Sequence, residues 1–354
     1  MKVCVVNPNY YRSSGVTVAA RRIFQGVSPL GIEQHFVDCC HGSQEEDVSW
    51  IPPGRRHLFL LMDSHPLRLI QQMAAFLRWL RQEEIAIVHV HHRRLAALLN
   101  PLQGIGGFRL IYTAQLSYPA EAWFSLSSPR HGVAISPSVA ENLKKTTRIT
   151  QIDIIGNPSD FPLECPEVRA FEVSCTVICV ARLDPVKAHV HLIDAWKKLT
   201  ERGIHAKLLL VGEGALKQSL VDQVRTLGLT ELVEFRGFQK DIAAEMDRCL
   251  FAVLVSEVEG QGIVIIEAAA RGRPTLVTDV DGSRDGVPSG SQLPNLIPFG
   301  DVEKLADALA VWLEQPDSVV NEGRVFYDFH KKHHSTEVVG RKYAELYNRT
   351  ARNL

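Results

Sequence analysis

Glu259 and Glu267 bracket a glycine-bearing turn in the stretch S-E-V-E-G-Q-G-I-V-I-I-E-A-A-A-R-G-R-P, Ser256 to Pro274. The apolar run Leu250 to Val255 before it predicts a fully buried strand of a parallel sheet. Ile263 to Arg271 predicts a helix ended by Gly272, with Pro274 just beyond. Ligands of open α/β sheets sit at the carboxyl ends of the strands, and a helix N-terminus reached through glycine offers unpaired backbone N–H groups to an anion. Gly262, Ile263 and Val264 are therefore the candidate donors. Glu259 lies in the turn and Glu267 about a turn and a half into the helix. One carboxylate can face the reacting end of a ligand, the other a more distant hydroxyl.

The same stretch resembles the E-x7-E signature of the retaining family-four glycosyltransferases, close to S-x-x-E-G-F-G-x-x-x-x-E-A-x-A-x-G-x-P. Gln261 stands at the apolar position of that pattern, and every other fixed position is filled. The resemblance implies an α/β protein of GT-B type: two Rossmann-like, doubly wound domains facing a central cleft. It also implies transfer of a sugar from a nucleotide-diphosphate donor to a hydroxyl of a glycan or lipid-linked acceptor, with retention at the anomeric carbon and no metal or other cofactor. In that scheme Glu259 contacts hydroxyls of the donor sugar, Glu267 the ribose, and Gly262 to Val264 the diphosphate. The two glutamates are not read as a glycosidase acid and nucleophile, because that pair is defined by its separation across a bond.

The positive counterpart lies upstream. Thr176 to Ala181 predicts a strand that runs into Arg182-Leu183-Asp184-Pro185-Val186-Lys187, followed by a helix from about Val190 to Arg202. Arg182 and Lys187 match the spacing of the family pattern G-R-L-x-x-x-K-G, with Ala181 and Ala188 in place of both glycines. A departing nucleoside diphosphate gains negative charge as the glycosidic bond breaks, and a guanidinium fork with an ammonium stabilises it most in the transition state. Gly212, in the turn Gly212-Glu213-Gly214, and Phe238, after Gly237, match family segments that lie near the nucleotide and its base. Asp279-Val280-Asp281 matches the D-x-D string that holds a metal in the other large transferase fold. Its place after the strand Thr275 to Thr278 and before Gly282 makes the match a coincidence.

Other strand ends of the first half supply weaker candidates. The strand Lys2 to Val6 leads through Ser13, Ser14 and Gly15 into a helix from Val16 to about Val27, and in the resembling family this loop touches donor or acceptor. Ile85 to Val90 ends in His89-Val90-His91-His92. Alternation along a strand puts His89 and His91 on one side and His92 on the other, and no Cys, Asp or Glu lies nearby in sequence, so a metal site is not expected. Family members often carry a Thr followed closely by a His after the next strand, and that His contacts the donor sugar. Here Gln115 stands in its place, able to hydrogen-bond a hydroxyl but not to titrate near neutral pH, so either the His is dispensable, or His91 substitutes for it, or activity is impaired.

The 354 residues, 45% hydrophobic and 22% charged, suit two ordinary domains. The expected division is 1–160, acceptor-binding, and 171–324, nucleotide-sugar-binding, with a Pro-rich linker from Pro158 to Pro166 and a closing helix at about 325–350 that packs back on the first domain. Seven cysteines without a C-x-x-C pair indicate free thiols in a reducing compartment. With no signal-peptide pattern and no long apolar run, the expectation is a cytoplasmic protein, peripheral at most at the inner face of a membrane. A basic excess over the first 165 residues, mostly arginine, suits an anionic acceptor or anionic membrane surface, and nothing suggests nucleic acid. The amphipathic segment Pro66 to Glu83 places Leu69, Met73, Phe76, Leu77 and Leu80 at core spacing. Two other readings fit the same scaffold: a nucleotide-sugar-binding protein without catalysis, and a sugar-nucleotide epimerase of GT-B type.

Overall fold

The computed structural model describes residues 1–8, 15–40, 48–161 and 175–352. They form two compact units, the first comprising Met1–Pro158 with Thr336–Leu354 and the second Ser159–Ser335.

The first unit is built on seven strands: β1 (Lys2–Asn7), β2 (Glu33–Asp38), β3 (Arg56–Leu58), β4 (Ile85–Val90), β5 (Arg109–Ala114), β6 (His131–Ala134) and β7 (Gln151–Ile154). They pair in the order β3-β2-β1-β4-β5-β6-β7, parallel throughout. Near-continuous burial of β1, β2, β4 and β5 is the mark of strands covered by helices on both faces. On one face, Val3, Ile87, Ile111 and Val133 pack against Val339, Tyr343 and Tyr347 of the Thr336–Ala351 helix. This last helix crosses the Gly15–Val27 helix through two glycines. A Cβ on Gly26 would lie 2.3 Å from the Thr336 carbonyl oxygen, and one on Gly340 would lie 2.3 Å from that of Gly26. The other face holds Met73, Phe76 and Leu80 of the Pro66–Gln82 helix, with Leu69 and Leu77 half-buried.

The second unit carries β8 (Thr176–Val180), β9 (Lys207–Val211), β10 (Val233–Gly237), β11 (Phe251–Leu254), β12 (Thr275–Thr278) and β13 (Leu296–Ile297), in the parallel order β10-β9-β8-β11-β12-β13. Its core is anchored by Trp196 and Trp312, whose indole N–H groups donate to the carbonyls of Ala206 (3.0 Å) and Pro294 (2.9 Å). In each unit the strand order reverses between the first strand and the fourth or later one, β1 beside β4 and β8 beside β11. Such reversals open a crevice at the carboxyl ends of the strands.

The division differs from the sequence expectation at one place. Residues 325–333 do not return to the first unit but complete the Pro316–His333 helix of the second. Phe326 is fully buried with Leu254, Ile265, Ala269 and Val277, and a Cβ on Gly323 would lie 2.1 Å from the Gly272 carbonyl oxygen. A helix seated so closely on the Ile263–Ala270 helix cannot leave it, so the crossing falls at Ser335. Of the linker reading, only 158–161 lie within the described residues.

Candidate active site

The site assembles at the β8/β11 reversal. After β8 the chain turns through 181–187 into the His189–Glu201 helix; after β11 it turns through 255–262 into the Ile263–Ala270 helix. The Glu257 N–H donates to the Val186 carbonyl at 2.8 Å, which ties the two turns together. Lys187 and Glu259, 72 positions apart, form an ion pair with their side chains only 19% and 10% exposed. Ser256, fully buried, donates its hydroxyl to the same Glu259 oxygen at 2.8 Å, and the Thr278 hydroxyl donates to the Ser256 carbonyl. The carboxylate is thus oriented from below by a buried hydroxyl and from the side by the ammonium.

Gly262 caps the Ile263–Ala270 helix at φ 67°, in the left-handed region that glycine favours. Its carbonyl accepts from Ile265 N at 2.9 Å, while Ile263 and Val264, in the first turn, have no earlier helical carbonyl to bond. Glu267 is half-buried further along the helix. The neighbouring Asp281–Gly286 helix presses on the turn so tightly that a Cβ on Gly282 would lie 2.3 Å from the Glu259 carbonyl oxygen. Asp279 and Asp281 both face Arg284, at 2.8 and 3.5 Å. The D-x-D string therefore serves an internal ion pair.

Arg182 is exposed and pairs with Asp184 at 2.7 Å. Gly212, at φ 143°, packs where a Cβ would be 2.0 Å from the Ala181 carbonyl oxygen, and its N–H is taken by the Gly237 carbonyl at 2.9 Å. It therefore shapes the wall of the turn after β8 and has no N–H to offer a ligand. Phe238 follows β10 with more than half of its surface exposed.

Two residues here were not singled out from the sequence. Ser256 is a fixed position of the signature and could have been found there. His189 could not: it is fully buried at the start of its helix, directly after Lys187-Ala188, with no hydrogen-bond partner on either ring nitrogen. Burial lowers its pKa to about 4, so the ring stays neutral beside the cationic turn.

In the first unit, Gly15 is the exposed first residue of its helix, and the serines before it lie outside the described residues. His89 is buried between the Tyr347 hydroxyl and the Thr113 hydroxyl, each at 2.7 Å, which occupies both ring nitrogens. The His91 ring lies 4.5 Å from it, tilted by 35°, and its Nδ1 is 3.3 Å from the Gln115 amide nitrogen. Burial lowers the His91 pKa to about 4, so it is a neutral hydrogen-bonding group. Among the described residues no three His, Cys, Asp or Glu side chains converge as a metal site. Burial pushes Cys179 and Cys249 up to about 12, which leaves them as packing thiols. No described helix is long and apolar enough to cross a membrane.

Two family models match this chain in tandem: Glycosyltransferase Family 4 over residues 13–161 and Glycosyl transferases group 1 over residues 166–324, the latter containing Arg182, Lys187, Glu259 and Glu267. The second unit thus matches the group 1 glycosyltransferases, and the first matches glycosyltransferase family 4. The chain's GT-B fold is that of the Anabaena HepE protein solved in complex with UDP, with a TM-score of 0.82 over 99% of this chain and 100% of that one at 17% identity. In sequence it is similar to the phosphatidyl-myo-inositol mannosyltransferase of Mycobacterium leprae, 26% identical over 67% of this chain and 66% of the relative. It is also similar to the N-acetylgalactosamine-N,N'-diacetylbacillosaminyl-diphospho-undecaprenol 4-alpha-N-acetylgalactosaminyltransferase of Campylobacter jejuni, 35% identical over 29% of this chain and 27% of the relative. The matches to the first curated relatives span 35%, 38% and 27% of those proteins' lengths.

Proposed function

We propose that this glycosyltransferase moves a sugar from a nucleotide-diphosphate donor to a hydroxyl of a glycan or lipid-linked acceptor, with retention and without a metal. The observation that carries the reading is the convergence of Lys187 and Glu259 beside the helix N-terminus at Gly262. A diphosphate seated on the first-turn N–H groups of Ile263 and Val264 meets the Lys187 ammonium, with Arg182 free to swing from Asp184 onto the second phosphate. Glu259 accepts from donor-sugar hydroxyls and Glu267 from the ribose. The bond from the anomeric carbon to the phosphate oxygen breaks while the acceptor oxygen bonds to the same face of that carbon. The acceptor proton passes to the departing phosphate oxygen, and Lys187 and Arg182 stabilise the charge that develops there.

The relatives named for lipid-linked and phosphoinositide acceptors support a surface-glycan role with the reaction at a membrane face. The Pro66–Gln82 helix supports peripheral attachment to anionic lipid, since Leu67 and Ile70 are about two-thirds exposed beside Arg68. Co-sedimentation with phosphatidylglycerol vesicles tests this, and recovery of all the protein in the supernatant at low salt would contradict it.

The donor assignment is tested by thermal stability against UDP, GDP, ADP and CMP, each with magnesium or EDTA. The expected result is stabilisation by one nucleoside diphosphate, growing with the logarithm of its concentration and indifferent to EDTA. No stabilisation by any of them overturns the reading.

A further inference from the structure

A pocket of about 760 Å³ opens in the first unit at the amino ends of β5, β6 and β7, within the size range of small-molecule sites. Ligands of open α/β sheets ordinarily sit at the carboxyl ends of the strands, so this pocket lies on the other edge of the sheet. Each strand brings its first residues to the rim. Arg109 opens β5, Arg130 immediately precedes β6, His131 begins it, and Asp153 lies in β7. Arg349 and Thr350 complete the lining from the last turn of the Thr336–Ala351 helix.

Three guanidinium groups thus meet one carboxylate, and that carboxylate is already neutralised. One Asp153 oxygen lies 2.7 Å from His131 Nε2, and an Arg349 amino group donates to both oxygens at 2.7 Å. The remaining N–H groups of Arg349 have no partner among the described residues. Arg130 makes no ion pair among them either, while its carbonyl accepts from Thr150 N at 3.1 Å and Gln151 N at 3.0 Å, which ties its backbone to the start of β7. The pocket therefore keeps positive charge on fixed supports.

Thr350 gives a second, independent sign. It is only 6% exposed and lines the pocket, yet its hydroxyl has no hydrogen-bond partner among the described residues. A buried hydroxyl of this kind costs free energy until an acceptor reaches it. A phosphate answers this donor and the two arginine forks at once, since its several oxygens accept in different directions. The volume exceeds that of a phosphate several-fold, and the exposed Gln151 amide beside it can bond to hydroxyls.

We propose that this pocket binds a phosphate monoester on a polar body of sugar size, free as a sugar phosphate or displayed as a lipid headgroup. The phosphate bonds to Arg130, Arg349 and the Thr350 hydroxyl, and the hydroxyls of the body to Gln151. The site is separate from the Lys187–Glu259 site and from the strand ends read for donor and acceptor.

Isothermal titration of the full chain with glucose 6-phosphate, against glucose as control, tests the site. Wild type is expected to bind the ester at least about tenfold more tightly than glucose, and Arg130→Ala to remove roughly that factor. Thr350→Val keeps the shape of the side chain. It should weaken ester binding by roughly fivefold while the urea midpoint without ligand stays level or rises, because an unpartnered hydroxyl is gone. Lys187→Ala should bind the ester as wild type does. Co-sedimentation with phosphatidylcholine vesicles containing phosphatidylinositol 4-phosphate separates the two sources. Pelleting that Arg130→Ala abolishes assigns the headgroup; a titration weakened by Arg130→Ala with pelleting unchanged assigns the free ester. If neither probe depends on Arg130 the proposal is overturned. Loss of ester binding in Lys187→Ala also overturns it, since the ester would then sit at the diphosphate site.

Discussion

Glu259→Gln should tighten nucleoside-diphosphate binding while it lowers turnover, an outcome that few substitutions at an active site share. Lys187, the cation assigned to the departing phosphate, is held by Glu259 in the free protein, and the pair is only 19% and 10% exposed. A diphosphate must therefore displace a carboxylate before it can gain the ammonium. Two unit charges at about 4 Å attract by roughly 4 kcal/mol at an effective dielectric constant near 20. Because desolvation and the new phosphate contact offset most of this, the measurable value lies between that of an exposed pair, under about 1 kcal/mol, and a buried one, about 3–5 kcal/mol. About 1.5 kcal/mol is a reasonable middle figure, which is roughly a tenfold lower Kd. The neutral amide keeps the Ser256 hydroxyl bond, so the turn retains its shape. It cannot accept as strongly from the donor sugar, and turnover should fall by about 100-fold or more. Isothermal titration with the stabilising nucleotide gives the first quantity, and product formation at saturating donor gives the second. If Glu259→Gln binds the nucleotide as wild type does or more weakly, then Lys187 is not the cation that the diphosphate meets.

Three more outcomes follow from the same geometry. Arg182→Ala should leave the unfolding midpoint of the second unit within about 0.5 kcal/mol of wild type, since the side chain is 67% exposed and paired only with Asp184, yet lower turnover by about 100-fold. Gly212→Ala should destabilise the second unit by about 3 kcal/mol or more in urea unfolding, because its Cβ would sit 2.0 Å from the Ala181 carbonyl oxygen at a φ of 143°. His91 and His189, neutral in the fold with pKa values lowered to about 4 from 6.5, should make both units acid-labile. The unfolded chain binds protons at each from about pH 6.5 downward and the folded chain does not, so stability declines through that window by about 3 kcal/mol per histidine at pH 4. Urea midpoints at pH 7 and pH 4.5 check this, and His189→Phe should flatten the slope for the second unit alone.

Much of the fold was legible because its strands are apolar runs buried on both faces, and such runs survive any detail of packing. β11 reads from Leu250 to Val255 and forms over Phe251–Leu254; β8 reads from Thr176 to Ala181 and forms over Thr176–Val180. The point where the chain leaves the second unit was not legible. Residues 325–333 are polar at helical spacing, with Phe326 the main apolar contact, and a single buried Phe does not tell which sheet it meets. The decision is made by Gly323 closing on the Gly272 carbonyl, a contact between positions that no periodicity links.

The site divides in the same manner. Glu259 and Lys187 were found separately, each from the motif around it, but their ion pair depends on β8 and β11 being neighbours in the sheet, a fact of topology. Ala188 shows the limit from the other side. The pattern calls for glycine there, and the structure gives the reason: the residue sits at φ 49°, the left-handed region, where a Cβ costs roughly 1–2 kcal/mol. This chain keeps the turn and carries the strain, and His189, which follows at once, is buried without a partner. Two local costs in consecutive residues, directly beside the cation of the site, persist only where the surrounding packing fixes the position of Lys187. The departures from the family pattern at Ala181 and Ala188 therefore argue for a rigid Lys187 turn, and a rigid turn places its ammonium against whatever anion the helix at Gly262 receives.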